Sequence, residues 1–267
     1  MKLTSLLILL IVVPCLSLMA QEKPEGNTIN ISGKTIEVKI PGRNEQAVVK
    51  DQQDEIKQLE RSLQNELKVY TTEMQDQRFI SDNVVTGVGI DIDTTDGNRT
   101  LLVTYSYSLL NDTLKFQTDD FGLGKFFVKE SNALQVTLAV IKKNIEGKLA
   151  RYITADKEIS IHINGSADAA PIRKVIPYGG EFGERISGDC LLEGQTIRMD
   201  VNSSQGITDN ATLAFLRSYA VREYLKNNIF RTDFLDLKYF HSAIVSGQRG
   251  AQFRRVTIEI IVYNAFN

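Results

Sequence analysis

The fold is decided by the stretch Glu158-Ile-Ser-Ile-His-Ile-Asn-Gly-Ser-Ala-Asp168. Three isoleucines alternate with polar residues in it, which is the pattern of a strand with one buried face. Asn164-Gly165 comes next, where the backbone is free to turn sharply, so we predict a strand over residues 158–164. Asp168 is then left just past the carboxyl end of that strand.

A helix is predicted over residues 210–228. Thr208, Asp209 and Asn210 are all residue types that favour a helix N-cap, and we expect Asn210 to be the capping residue. Apolar residues then recur at helical spacing and form an inner stripe, which comprises Leu213, Leu216, Ala220, Val221, Tyr224 and Leu225.

Arg217 lies on the edge of this stripe, four residues from both Leu213 and Val221. A guanidinium near a buried face needs an anion to offset its desolvation. Taken singly, Asp168 is more typical of a turn or cap residue, and Arg217 of a solvated arginine or a structural ion pair. Together they form a candidate clamp for a ligand that carries both an amine and a carboxylate.

Three motifs, in this order along the chain, resemble the OmpA-like peptidoglycan-binding domain. They are Gly165-Ser-Ala-Asp168, Asn210-x-x-Leu213-Ala214-x-x-Arg217-Ser218-x-x-Val221 and Arg254-Arg255-Val256-Thr257-Ile258. In that family a strand ends in a Gly-x-Thr-Asp type turn, a helix has the form Asn-x-x-Leu-Ser-x-x-Arg-Ala, and the last strand begins Arg-Arg-Val-Glu. The resemblance covers roughly the last 150 residues.

The resemblance implies that Asp168 binds the amine, and Arg217 the carboxylate, of the diaminopimelate in a peptidoglycan stem peptide. It also makes Asn210 and Arg254 ligand-binding candidates, with Arg255 expected to face solvent. Ala167, Ala214 and Ser218 stand where the family has Thr, Ser and Ala, and the segment between Asp168 and the helix is longer than usual.

Composition argues against several function classes. The chain has 267 residues and a formal net charge of −2, so it lacks the basic excess of nucleic-acid-binding proteins. His162 and His241 lie on predicted strands without the spacing of metal ligands. Cys190 is expected to be buried, and no sequence feature supports a Cys190–His162 nucleophile–base pair. We therefore predict no enzyme activity, no cofactor and no metal.

Residues 1–20 are predicted to be a signal peptide. Lys2 supplies the positive start, residues 6–13 form an apolar run, and Leu18-Met19-Ala20 suits a cleavage site. The run is shorter than the roughly 20 apolar residues that span a bilayer. We expect an exported protein, in the periplasm and associated with the cell wall or outer membrane, without a transmembrane span in the mature chain.

Two further regions precede the C-terminal domain. Residues 21–45 are predicted to form a small β-hairpin and linker. Residues 46–77 are predicted to form a long, charged helix whose narrow apolar stripe comprises Ile56, Leu59, Leu63, Leu67, Tyr70 and Met74. This stripe favours a coiled coil, and therefore a homo-oligomer through helix 46–76. The alternative is a helix that lies on the C-terminal domain.

Residues 78–267 are predicted to form the OmpA-like domain. It is expected to be an α+β domain with β-α-β-α-β order, a mixed sheet and helices on one face, with an added hairpin from residues 83–93 and 100–109. A short strand is predicted at residues 114–117, a loop at 121–125 and a helix from Asn132 to about Ile153.

An insert over residues 170–207 separates Asp168 from the helix. Its segments Ile172–Tyr178 and Thr196–Val201 are predicted to pair, with Glu193-Gly194 as a turn. Residues 178–184 are expected to form a rim or lid over Asp168. An insertion of this length inside a compact domain is usually functional or disordered, and its apolar content argues against disorder.

Two functional hypotheses follow from these observations. The first is a non-catalytic, peptidoglycan-binding protein of the cell envelope. The alternative is a periplasmic scaffold that keeps the fold but binds a protein partner through the insert and the coiled coil. A hydrolase that uses Cys190 and the histidines is the weakest hypothesis.

Overall fold

The structure is a computed structural model. It describes residues 27–31, 34–38, 50–93, 100–109, 120–230 and 236–265. The predicted signal peptide, the turn at residues 94–99 and the predicted strand at residues 114–117 lie outside these ranges, as do residues 39–49.

The described residues contain nine strands and three α-helices. The strands are β1 (Asn27–Ile31), β2 (Lys34–Val38), β3 (Val84–Asp93), β4 (Thr100–Leu109), β5 (Glu158–Ala167), β6 (Arg185–Leu192), β7 (Gln195–Asn202), β8 (Asp236–Val245) and β9 (Val256–Val262). The helices are α1 (Lys50–Asp76), α2 (Asn132–Glu146) and α3 (Asn210–Asn228). None of these helices is both long and apolar enough to cross a bilayer.

Seven strands form one mixed sheet in the order β3-β4-β9-β5-β8-β6-β7. Strand β8 runs parallel to both of its neighbours, β5 and β6, whereas the remaining pairs are antiparallel. Strands β1 and β2 form a separate antiparallel pair. The predicted α+β class with a mixed sheet is confirmed.

Alternation of apolar and polar residues gives the sheet one buried and one open face. Val103, Ile260 and Ile161 lie side by side across β4, β9 and β5, and all three are buried. The helices pack on this side, with α1 on β3, α2 on β3 and β4, and α3 on β5 and β8. On the opposite face Glu259 and His162 are paired neighbours and are partly exposed.

Helix α1 lies on the domain. Leu59, Leu63 and Leu67 in its apolar stripe are buried in the same core as residues of β3 and α2. Glu66 of α1 also pairs with Lys143 of α2 at 2.8 Å. The packing agrees with the alternative of a helix that lies on the domain, because the apolar stripe is covered within the chain. A coiled coil between chains stays a prediction.

Helix α2 is shorter than predicted. Ser131 caps its start, but the helix ends at Glu146 instead of about residue 153. Gly147 follows as the C-cap residue with φ −113° and ψ −98°, and the chain continues in turns. Leu149 is buried in the core without being helical. Its burial explains why the apolar spacing continues past the end of the helix.

Strand β5 continues to Ala167, through the turn that was predicted at Asn164-Gly165. Gly165 pairs in register with both neighbouring strands. It is needed there because α3 crosses the strand closely, and a Cβ atom at this position would lie 2.1 Å from the carbonyl oxygen of Ala214. The glycine therefore marks a close approach of helix and strand, and Asp168 follows the end of β5 directly.

The insert extends the sheet by two strands. Strands β6 and β7 form a hairpin around Glu193-Gly194, whose φ values of 51° and 80° suit a tight turn. That turn was predicted correctly. The partner of β7, however, is Arg185–Leu192, whereas Ile172–Tyr178 makes a single bridge, from Ile176 to Ile207.

Residues 172–178 contain apolar residues although they do not form a strand of the sheet. Tyr178 is buried, and its hydroxyl donates to the carbonyl oxygen of Gly183 and accepts from the backbone N–H of Phe182. In β6, by contrast, Ile186 and Cys190 are the buried residues, so the strand shows little alternation in sequence. The prediction of Ile172–Tyr178 as a strand was wrong for these reasons.

Candidate functional site

The four predicted site residues line one cleft at the carboxyl end of β5. Asp168 directly follows that strand, Asn210 begins α3, Arg217 lies about two turns further along α3, and Arg254 precedes β9. The cleft has a volume of about 390 Å³, and residues 123–124 and 170–176 supply much of its wall. Asp168, Arg217 and Arg254 are buried, and Arg217 is 0% exposed.

The close crossing of α3 over β5 positions the guanidinium of Arg217. Its Nη1 donates to the carbonyl oxygen of Ser166, at the end of β5, with a distance of 2.5 Å. Its Nε donates to the carbonyl oxygen of Lys125 at 2.9 Å. The ring of Phe121 faces the guanidinium, with Cζ 4.8 Å from the ring centroid. Two carbonyl groups and a ring therefore hold the side chain in one orientation.

Arg254 contacts both acids of the site, while Arg255 is exposed as predicted. The Nε and Nη2 atoms of Arg254 each lie 2.8 Å from Oδ2 of Asp120. Its Nη1 lies 3.9 Å from Oδ2 of Asp168. Burial raises the pKa of Asp120, and the positive charge of Arg254 opposes that rise. Arg254 is thus the counter-ion that both carboxylates share.

Asp168 has one carboxylate oxygen engaged within the protein. Its Oδ2 accepts a hydrogen bond from the backbone N–H of Gly250 at 3.2 Å, in addition to facing Arg254. Its Oδ1 receives no hydrogen bond from the described residues. This oxygen is therefore available for a hydrogen-bond donor that enters the cleft.

Arg217 is a buried cation without a carboxylate partner in the part of the chain that the structure describes. No acidic oxygen there lies within 4.0 Å of its guanidinium. The two nearby acids, Asp120 and Asp168, both face Arg254 instead. The Nη2 of Arg217 and the Oδ1 of Asp120 are both buried without a hydrogen-bond partner. Burial, reinforced by the charge of Arg254, lowers the pKa of Arg217 to about 10. A buried charge of this kind is costly unless an anion compensates it.

Asn210 fixes the backbone of the segment that carries Asp168. Its Nδ2 donates to the carbonyl oxygens of Asp168 at 2.9 Å and Ala170 at 3.0 Å. The N-cap of α3 is Asp209, whose carboxylate accepts from the backbone N–H of Thr212 at 2.8 Å. The prediction that Asn210 caps the helix was wrong, because its amide is used to fix the segment that carries Asp168. A direct contact between Asn210 and a ligand stays a prediction.

Two residues of the site were not found from the sequence. Asp120 is the partner of Arg254, and Phe121 faces Arg217. Asp120 precedes, and Phe121 begins, the glycine-containing segment 121–125, which was interpreted only as a loop. More than a hundred residues separate Asp120 from Arg254, so no local spacing could indicate the pair. An acid next to an aromatic residue at the start of the loop was the one available signal.

The rim of the cleft was also not predicted. It carries Arg173, Lys174 and Arg249, all of them exposed. Residues 178–184, which were expected to cover Asp168, do not line this cleft. The rim comes instead from the start of the insert and from the segment after β8.

The thiol and imidazole groups do not form the pair considered above. Cys190 is paired in register with His241 on the helix side of the sheet, whereas His162 packs beside Phe240 on the open face. Burial raises the pKa of the Cys190 thiol to about 11, which keeps it protonated. His241 lies under α3 with its Nδ1 3.0 Å from the hydroxyl of Ser218, and burial lowers its pKa to about 4.

A second, larger cleft of about 930 Å³ lies among the helices. All three helices and three connecting segments line it, and its aromatic residues and methionine are Tyr70, Met74, Phe79, Phe127, Phe182 and Tyr224. Glu181, Glu223 and Lys129 add charge to its lining. A concave apolar surface with a few polar groups is typical of a site for a ligand or a partner.

Comparison with known proteins finds no protein-family model, no curated protein and no solved structure that matches this chain. What the two clefts bind must therefore be inferred from their own geometry and charge.

Proposed function

We propose that the smaller cleft binds the diaminopimelate of peptidoglycan stem peptides, and that the protein is a non-catalytic, OmpA-like cell-wall-binding protein. One observation carries the proposal: the buried Arg217 has no carboxylate partner among the described residues, and it lines the same cleft as the open Oδ1 of Asp168. The free end of diaminopimelate bears an ammonium and a carboxylate on one carbon. The carboxylate would compensate the charge of Arg217, and the ammonium would donate to the open Oδ1 of Asp168, whose Oδ2 faces Arg254.

The charge balance of the cleft interior favours a zwitterion. Among the described residues, Arg217 and Arg254 carry two positive charges, and Asp168 and the adjacent Asp120 carry two negative ones, so these four charges sum to zero. A ligand that brings one charge of each sign keeps that balance, whereas a simple amine or a simple carboxylate does not. Charge-assisted hydrogen bonds of this type contribute about 1.5–3 kcal/mol each.

The proposal implies a place in the cell. Peptidoglycan lies outside the cytoplasmic membrane, so the protein is exported and works in the periplasm, at the cell wall or the outer membrane. The predicted signal peptide at residues 1–20 agrees with this location. Self-association through helix 46–76 is not part of the proposal, because the apolar stripe of α1 packs within the chain.

Co-sedimentation with purified peptidoglycan tests the proposal. Asp168→Asn removes the charge that would hold the ammonium, and Arg217→Gln removes the charge that would hold the carboxylate. Either change should weaken binding by at least about tenfold, which corresponds to roughly 1.4 kcal/mol. Arg217→Lys should restore little, because an ammonium does not offer the planar two-point contact of a guanidinium.

Arg255→Gln is the matched control, since this arginine is exposed and does not line the cleft. It should bind as the unchanged protein does. A thermal melt of each variant separates lost binding from lost folding, and Asp168→Asn keeps the side chain nearly isosteric. The proposal fails if the unchanged protein does not sediment with peptidoglycan at low salt, or if all variants bind alike.

A second candidate function is a scaffold that binds a protein partner. The larger cleft favours it, because α1 and the insert both contribute apolar side chains there, including Met74 and Phe182. Phe182→Ser should then abolish partner binding without an effect on peptidoglycan. Retained partner binding in this variant would exclude the larger cleft as the contact surface.

A further inference from the structure

The rim of the smaller cleft has a charge that the zwitterion does not explain. Arg173, Lys174 and Arg249 are exposed around the cleft, and no described carboxylate forms an ion pair with any of them. Together with Arg217 and Arg254 they give the described part of the lining five cations, against one carboxylate, that of Asp168. The whole chain, by contrast, has a net charge of −2. Positive charge is therefore concentrated at this one cleft.

The cations of the cleft form two groups, one in the interior and one at the rim. The interior charges balance to zero and match one ammonium and one carboxylate, as argued above. The three rim cations remain in excess, and they are exposed to solvent, so they could contact the part of a bound molecule that extends out of the cleft. A ligand with additional anionic groups next to its zwitterionic end would complement both regions.

We propose that the rim binds further carboxylates of the same stem peptide, so that the cleft prefers stems with free carboxylates over stems in which they are amidated. This inference rests on the proposed function. When the zwitterionic centre of diaminopimelate occupies the interior, a stem tripeptide still has two carboxylates: the α-carboxylate of its D-glutamate and its C-terminal carboxylate. Arg173, Lys174 and Arg249 supply the cations for these groups.

The strength expected of the rim follows from its exposure. Ion pairs at a solvated surface contribute about 0–1 kcal/mol each and weaken as salt is added. The rim should therefore change affinity by about three- to tenfold, while the interior clamp determines whether the peptide binds at all. The preference for free carboxylates should also decrease with rising ionic strength.

Titration with two labelled peptides tests the inference. One is L-Ala-γ-D-Glu-diaminopimelate, and the other is the same peptide with the D-glutamate carboxylate converted to its amide. The unchanged protein should bind the free acid about two- to fivefold more tightly than the amide, because one of the two rim carboxylates is removed. The triple variant Arg173→Gln, Lys174→Gln, Arg249→Gln should bind both peptides with equal affinity. It should bind the amide less tightly than the unchanged protein does, because the C-terminal carboxylate also loses its rim cations.

A charge-matched control is available on α1. Lys57→Gln, Arg61→Gln and Lys68→Gln together remove three exposed cations far from the cleft lining, and this variant should keep the preference. If the unchanged protein binds both peptides with equal affinity, or if the rim variant keeps the preference, the rim inference is overturned while the proposed function stands. If neither peptide binds the unchanged protein, both are overturned.

Discussion

Gly165 is the residue that determines how closely the acid and the arginine approach each other. It lets α3 cross β5 so tightly that an added Cβ atom would lie 2.1 Å from the carbonyl oxygen of Ala214 and 2.9 Å from the backbone nitrogen of Ser218. Both neighbours are backbone atoms and have no rotamer by which to move aside. Arg217, next to Ser218, can therefore reach the carbonyl oxygen of Ser166.

Gly165→Ala should destabilise the protein by about 3 kcal/mol, the upper part of the range for overpacked cores. It should also weaken peptidoglycan binding, because α3 must move away from β5. Urea unfolding measures the first effect. Gly247→Ala is the control, since a Cβ atom there meets nothing within 4 Å, and its stability should be nearly unchanged. Equal unfolding midpoints for the two variants would contradict the close-crossing account.

His241 should make folding stability depend on pH. Burial under α3 lowers its pKa to about 4, from an ordinary value of 6.5, and the charge of Arg222 acts in the same direction. The unfolded chain therefore binds the proton first. The contribution of His241 to stability is fully present above about pH 6.5 and decreases as the pH falls towards 4, by about 3 kcal/mol at most.

His241→Leu should flatten the decrease in unfolding free energy between pH 6.5 and pH 4. His162→Gln is the comparison variant, because His162 lies on the open face and is only partly buried. This variant should change the pH dependence of the unfolding free energy less than His241→Leu does. Unfolding curves at several pH values give both slopes. An unchanged slope in His241→Leu would show that this imidazole is not the group that titrates.

The site residues differ in how far sequence could predict them. Asp168, Arg217 and Arg254 belong to short motifs with fixed order, so their convergence on one cleft could be anticipated. Asp120 could not, because its pairing with Arg254 depends on the tertiary fold that joins distant segments. Asn210 was predicted to lie at the site, but its donor role needs the position of two carbonyl groups that sequence does not fix.

At the scale of elements, strands with strong alternation were predicted well. Strands β3, β4 and β9 place apolar residues on one face with little exception, and their bounds follow from that pattern. Strand β6 escaped prediction because it buries few apolar side chains near the edge of the sheet. For α1, the apolar spacing predicted the helix but not the surface on which it packs. The same apolar stripe would be needed to pack against a second chain or against the sheet of its own chain.

Leu63→Ala separates those two possibilities for α1. Leu63 is 0% exposed in the core shared with β3 and α2, so the truncation should cost about 2–5 kcal/mol in unfolding free energy and leave the oligomeric state unchanged. Val69 lies on the other side of α1 and is 67% exposed, so Val69→Ala should leave the unfolding free energy almost unchanged. A shift in sedimentation coefficient without a change in stability would instead support a helix that pairs between chains.

At the scale of the whole molecule, two clefts with different linings lie on one domain. The smaller cleft at the end of β5 contains a buried arginine without a carboxylate partner among the described residues, whereas the larger cleft among the helices is lined by aromatic and aliphatic side chains mixed with polar ones. The insert contributes to both, with residues 170–176 at the first and Phe182 at the second. Under the proposed function, the smaller cleft would hold peptidoglycan, and the larger cleft would stay open for a protein partner.

The most direct test of the central claim is a crystal structure of the protein with diaminopimelate. The account predicts that the ligand lies in the smaller cleft, that its carboxylate accepts a hydrogen bond from Nη2 of Arg217, and that its ammonium donates to Oδ1 of Asp168. Arg254 should stay on Asp120. A ligand found in the larger cleft, or bound in the smaller one without contact to Arg217, would contradict the claim.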